Sequence, residues 1–372
     1  MAGGGGRGDS SSLRVVIAPD SFKGTIGAAE VARLISRGWR AQRPFDTVVL
    51  MPQADGGEGT LDALEAAEPH AIRHRSGFVT GPDGRVTPGE WLEMPGLVAV
   101  VELAQMSGLT LMRHPDALRA STVGFGQVIG DALDAGMRRI ILAIGGSAST
   151  DGGAGALAAL GAVLLDAAGQ PIGVGGAELL RLARVDLRRL RRAPPDGVIL
   201  LADVTTPLLG PTGAAAVFGP QKGASPADVA LLDAALAHFL DLIGGDPHAE
   251  GAGAAGGTAY GFAALWAATI ESGAAAVATA TGLDEAITAA DIVITGEGRF
   301  DATSFAGKVT GRVLSRASAS GTAALVIAGA VTVALEVPSF SLSNMAGSTD
   351  MAIADASLLL VEAGQRAARS IG

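Results

Sequence analysis

RIILAIGGSASTDGGAG, residues 139–155, decides how the rest of the chain is read. Ile140, Ile141, Leu142 and Ile144 make a short buried strand, and the run breaks at once into Gly145, Gly146, Ser147, Ser149, Thr150, Asp151, Gly152 and Gly153. Leu157, Leu160 and Val163 then predict a helix starting near residue 154. Glycines let successive N–H groups converge on an oxygen-rich ligand, and the hydroxyls add donors. A phosphate or a carboxylate suits such a loop; read structurally, it is a glycine-rich turn kept for tight packing.

Working outward, 372 residues with 48% apolar and 4% aromatic content suffice for two domains built on Ala, Val, Leu and Ile. No apolar run approaches the roughly 18 residues of a membrane span. Residues 1–12 form a glycine- and serine-rich tail without a signal-peptide core, expected to be disordered on a cytoplasmic protein. The absence of cysteine excludes disulfides, thiolate metal sites and a cysteine nucleophile, and five scattered histidines argue against zinc. A metal here is expected to be hard and oxygen-bound, such as Mg²⁺. The net charge of −10 argues against a nucleic-acid partner. Of 27 basic residues only three are lysine, Lys23, Lys222 and Lys308, and all lie in glycine-flanked loops. A compact ammonium on a flexible stem is a point charge for phosphate that guanidinium does not replace well.

The same strand-then-loop pattern recurs along the chain. Residues 13–18 read as a strand whose exit carries Asp20, Ser21 and Lys23 ahead of a helix from about residue 25, the usual ligand crevice of a parallel α/β sheet. Residues 47–51 are a second strand, opening into Asp55, Gly56, Gly57 and Glu58 before a helix through Leu61 and Leu64. Those two carboxylates suit Mg²⁺ or a substrate hydroxyl, or simply compensate a helix dipole. Turn signals over 77–95 predict hairpins, 98–103 a strand and 123–135 a helix. The leucines within the arginine-rich run 181–192 predict a solvated helix face. Residues 198–202 are a buried strand with Asp203 at its exit, and Ser225-Pro226 begins a helix. Residues 291–295 form another strand, followed by Glu297, Arg299 and Asp301 and a helical piece containing Lys308. A last strand at 323–328 and a closing helix over 350–369 complete the pattern.

Two nucleotide motifs fail on inspection. Gly251, Gly253 and Gly256 satisfy the dinucleotide spacing with Glu271 twenty residues on, but no strand precedes them and Glu271 falls in a helical stretch. Val309 follows Lys308 where a Walker A loop needs Ser or Thr. What the strand exits do collect is donors for anionic oxygens, a few cations and many carboxylates. That mixture fits phosphoryl transfer to a small acceptor without a P-loop. An NAD(P)-dependent oxidoreductase and a non-catalytic sugar-acid or nucleotide sensor are the competing readings.

APDSFKG at 18–24, ADGGEGT at 54–60, GGSASTDGG at 145–153, DVTTPLLGPTGAAAVFGPQKGA at 203–224, GAGAAGG at 251–257 and TGEGRFD at 295–301 resemble, in order, the motifs of the type-1 bacterial glycerate kinases. The resemblance covers nearly the whole chain. It implies ATP-dependent phosphorylation of D-glycerate to 2-phosphoglycerate with Mg²⁺, and two α/β domains, one discontinuous, with the active site in the cleft between them. The family commonly has Asn at the positions of Thr150 and Thr206 and Gln at that of Thr303.

The resulting expectation is a doubly wound, Rossmann-like α/β domain from 13–70 and 280–372, with a second α/β domain inserted over 71–279. Asp203, with Asp301 second, is expected as general base, with Lys23, Lys222 and Lys308 offsetting charge. Asp20, Ser21, Gly56, Gly57, Gly145, Gly146, Ser147, Asp151, Gly152 and Arg299 are expected to bind substrate or phosphate, and Asp55, Glu58 and Glu297 to hold Mg²⁺. ATP and D-glycerate are the small-molecule partners, and the protein is expected as a monomer or homodimer.

Overall fold

The structure, a computed structural model, describes residues 12–305 and 308–371. The tail expected to be disordered lies outside the described residues except for Ser12, whose hydroxyl donates to the Phe45 carbonyl at 2.7 Å. The chain divides into two units: a terminal one running up to Pro52 and resuming at Gly282, and an inserted one, Gln53–Thr281.

In the terminal unit five parallel strands lie in the order Ser339–Ser341, Ala323–Ala328, Ile292–Thr295, Arg14–Ile17, Thr47–Leu50. Numbered along the chain and read from the far edge, this is the 2-1-3-4-5 arrangement of an open doubly wound sheet. Successive residues of one strand serve opposite faces. Leu325 and Ile327 pack with Val31, Ile35 and Leu360 of the helices Ala28–Gln42 and Ala356–Ser370, whereas Val326 and Ala328 pack with Leu314 of the helix Val309–Ser320. Burial on both sides explains why these strands are continuous apolar runs.

The inserted unit is built on a six-stranded mixed sheet, ordered Thr269–Glu271, Val198–Leu201, Arg139–Ala143, Val98–Glu102, Val86–Met94, Ile72–Thr80. The first four are parallel, and the last two form an antiparallel hairpin with a bulge between Arg75 and Gly77. Its largest core gathers Phe125, Phe262 and Trp266 in edge-on aromatic contacts behind the parallel strands.

Several elements differ from expectation. The first boundary falls after Pro52 and not near residue 70, because Leu61 and Leu64 of the helix Thr60–Ala67 pack on Leu92 and Val100 of the inserted sheet. The arginine-rich run is no helix. It is the end of a 3₁₀ turn, Gly176–Arg181, then the strand Arg184–Asp186 paired with Val163–Leu165, then loop. Pro194 and Pro195 follow directly, and Leu182 is buried while Leu187 is exposed, so the leucines share no face. Glu271 ends an edge strand and lies in no helix. The closing helix is two, Thr349–Ala354 and Ala356–Ser370, broken at Asp355, and the first is capped by the Ser348 hydroxyl.

Candidate active site

In a 2-1-3-4-5 sheet the strand order reverses between the first and third strands, and the crevice opens beyond their carboxyl ends. Here those ends are Arg14–Ile17 and Ile292–Thr295, and both exit loops carry charge. A cavity of about 450 Å³ lies at that point. Asp20, Ser21, Lys23, Glu297, Arg299, Asp301 and Lys308, separated by almost three hundred positions in the sequence, all line it.

Within this cavity the polar groups are arranged in two ways. Thr303 accepts from Lys308 Nζ (2.9 Å) and donates to Asp301 Oδ1 (2.7 Å), so one hydroxyl ties cation to carboxylate. The Thr303 hydrogen bonds, with the Lys308 and Arg299 charges, hold Asp301 below the usual carboxylate range. Glu297 is the opposite case. Its Oε1 is buried with no hydrogen-bond partner, as is Ser21 Oγ beside it in the lining. Burial pushes Glu297 up, while the Ser304 hydroxyl and the Lys308 and Lys23 charges pull it down. A lining carboxylate with one buried oxygen that lacks a donor is a fit acceptor for a hard cation.

The inserted unit holds the remaining predicted residues. Gly145 N donates to the Gly56 carbonyl (3.0 Å), and a Cβ at Gly145 would stand 2.6 Å from Gly57 Cα. The two glycine loops therefore touch backbone to backbone, which no side chain permits. Of residues 145–153 only Gly145 and Gly146 reach solvent. Asp151 and Gly152, expected among the phosphate ligands, are buried. Asp151 accepts from Thr122 N, Thr122 Oγ1, Gly153 N and Gly155 N at 2.8–3.2 Å, so its carboxylate is committed to folding the loop. Burial pushes it up against those four donors. Ser147 is also buried, its hydroxyl accepting from Lys222 Nζ at 3.0 Å.

Lys222 differs most from expectation. It is buried beneath the loop, its ammonium given to Ser147 Oγ and, at 2.5 Å, to the Ser149 carbonyl. Burial pulls it down to about 7, against the attraction of Asp151. Thr150, where the family commonly has Asn, is fully buried as well.

Asp203 leaves the strand Val198–Leu201 and is gripped by Ser272 Oγ (2.7 Å) and Ala274 N (2.9 Å), at the start of the helix Gly273–Thr281. Burial raises it, the Ser272 and Ala274 donors oppose this, and the charge of Asp55 adds to the rise. Asp55 is partly buried and Glu58 exposed. Among the described residues no three His, Asp or Glu form a cluster fit to hold a metal by themselves.

Several residues here escape a reading of the sequence. Glu102 ends the buried strand Val98–Glu102 and accepts from Gly59 N and Leu61 N, both at 3.1 Å, which fixes the Asp55–Glu58 turn to the sheet. Burial, with Asp62 and Glu58 adding and the two N–H groups opposing, raises it to about 7. A carboxylate directly after four apolar residues was the available signal. Ser272 carries no such mark, because its role depends on a partner brought in by the fold.

Residues 15–372 match the glycerate kinase family. The chain is 43% identical over 329 residues to a glycerate 2-kinase of Escherichia coli (strain K12), covering 86% of each. It is 42% identical over 332 residues to a glycerate kinase of Halalkalibacterium halodurans, covering 85% of each. Its fold matches the crystal structure of a candidate glycerate kinase 2 from Salmonella typhimurium LT2 with a TM-score of 0.78 and 36% identity, over 97% of this chain and 98% of that one. The family match runs across both units and every motif quoted above, and the chain therefore belongs, as an enzyme, to the glycerate kinase family.

Proposed function

We propose that the protein transfers the γ-phosphoryl group of ATP to D-glycerate, giving 2-phosphoglycerate, with Mg²⁺ as cofactor. The observation that carries this beyond family membership is the switch-point cavity. It combines the ammonium-bearing Lys23 and Lys308 with the carboxylates of Asp20 and Glu297, the residue types that hold a metal-bound polyphosphate. Glu297 and Asp20 would hold Mg²⁺, which usually takes one or two carboxylates together with phosphate oxygens. When bound, the ion neutralises charge on the phosphates. Lys23 and Lys308 stabilise negative charge on the transferred group. Asp203, oriented by Ser272 and Ala274, accepts the proton of the substrate hydroxyl, and its raised affinity for a proton suits that role better than the depressed one of Asp301. The exposed Gly145–Gly146 backbone is assigned to the glycerate carboxylate. Lys222 and Asp151 hold that loop in shape from beneath. A coupled assay for ADP with D-glycerate, ATP and Mg²⁺, with phosphorus NMR of the product, tests the proposal. ADP release that requires D-glycerate and disappears with EDTA is expected. No ADP, or a 3-phosphoglycerate signal, overturns it.

A further inference from the structure

The cavity of the terminal unit has a second lining that the phosphoryl chemistry leaves unused. Phe22, Leu342, Thr349, Ala352, Ile353 and Ala356 contribute it, four of them from the C-terminal helices Thr349–Ala354 and Ala356–Ser370. This lining is apolar apart from one hydroxyl, and Ile353 stands 55% exposed at it. A three-carbon hydroxy acid has no hydrocarbon face to cover such a surface and occupies a small part of 450 Å³. A nucleotide has both a polyanionic end and a flat apolar one. The polar end of the same cavity already offers Lys23 and Lys308, with Ser21 and Glu297 in the same lining.

Resting on the kinase reading above, we infer that this cavity takes the nucleotide with its base against the Leu342–Ile353 surface, and that the surface selects for a flat ring without selecting which base. In the Gly329–Ala330 loop of the same lining both N–H groups are already paired. Gly329 N donates to the Glu297 carbonyl and Ala330 N to that of Gly298, each at 3.0 Å, and the Gly329 carbonyl accepts from Ser343 N at 2.8 Å. Among the described side chains of the cavity outside its charged end, Thr25 and Thr349 are the two that can hydrogen-bond. Apolar contact alone discriminates weakly, by roughly 10–200-fold at most, whereas strong rejection needs buried polar groups that the wrong ligand leaves unpaired.

Calorimetric titration of the full chain with ADP and with GDP, each with Mg²⁺, measures this without any turnover. Dissociation constants within about tenfold of each other are expected. Ile353→Asp weakens both by at least about tenfold, while affinity for inorganic triphosphate and the KM for D-glycerate stay within twofold. Ile353→Leu restores parental binding, and because Ile353 is exposed its variants keep the parental melting temperature. The inference falls if Ile353→Asp leaves ADP affinity unchanged, if it raises the KM for D-glycerate instead, or if ADP binds more than about 200-fold tighter than GDP. Nucleotide binding of the expected pattern without glycerate turnover would overturn the kinase reading and leave this one standing. Turnover with an indifferent Ile353→Asp would do the reverse.

Discussion

At single positions the chain separates residues that do chemistry from residues that hold them. Asp203 and Asp301 are both carboxylates just beyond strand ends, yet burial raises one and a hydroxyl with two cations lowers the other. Asp203→Asn is expected to reduce kcat by about 10²–10⁴ while calorimetric ADP affinity stays unchanged. A kcat within threefold of the parent would remove it from the proton transfer. Glu102 acts one step further back. Its folded value near 7 lies above its ordinary 4.5, so the folded protein holds the proton more tightly than the unfolded chain does. The stability it contributes is full below about pH 4.5 and is lost as pH rises through about 7, by at most about 3 kcal/mol. Thermal melts across that window are expected to show a smaller fall, or a steeper rise, for Glu102→Gln than for the parent. Identical slopes would show that Glu102 is not buried as a proton-binding group.

Among elements, the helices Ala28–Gln42 and Ala356–Ser370 of the terminal unit cross backbone against backbone. A Cβ on Gly38 would stand 2.0 Å from the Val361 carbonyl oxygen, and one on Gly364 2.4 Å from that of Ile35. Backbone cannot withdraw as a side chain can, so Gly38→Ala is expected to destabilise by about 1–3 kcal/mol and lower the melting temperature. An unchanged melt would mean that the helices can move apart at no cost. Such pairings show what a sequence hides. The strands were legible because VVI, TVVL, RIILA and IVIT are short apolar runs ending at glycine, proline or charge. The loops at their ends were legible for the same reason, and Lys23, Glu297 and Lys308 from those loops line one cavity. The arginine-rich run misled because leucine spacing alone cannot report that the strand Arg184–Asp186 finds a partner in Val163–Leu165. Lys222 misled because its glycine flanks look alike whether the ammonium faces solvent or points inward to Ser147 and Ser149.

For the molecule as a whole, the scarcity of lysine becomes a tool. Lys222 is buried with its ammonium engaged, whereas Lys23 is exposed and Lys308 partly so. An amine-acylating reagent on the native protein is expected to modify Lys23 and Lys308 and to spare Lys222, as read by peptide mass spectrometry. Magnesium ADP should protect the first two. Labelling of Lys222 at a comparable rate would contradict its burial, and unprotected Lys23 would take it out of the nucleotide site.

The pairing of Arg14–Ile17 with Ile292–Thr295 has a consequence for how the polypeptide is born. Thr295 Oγ1 bonds the Ala18 carbonyl across 277 positions. At about 5–20 residues per second a ribosome needs on the order of tens of seconds between making one strand and delivering its neighbour. Throughout that interval Arg14–Ile17 has only Thr47–Leu50 to pair with, while everything needed by Gln53–Thr281 emerges in one continuous piece. The inserted unit is thus whole before the third strand of its host has been made.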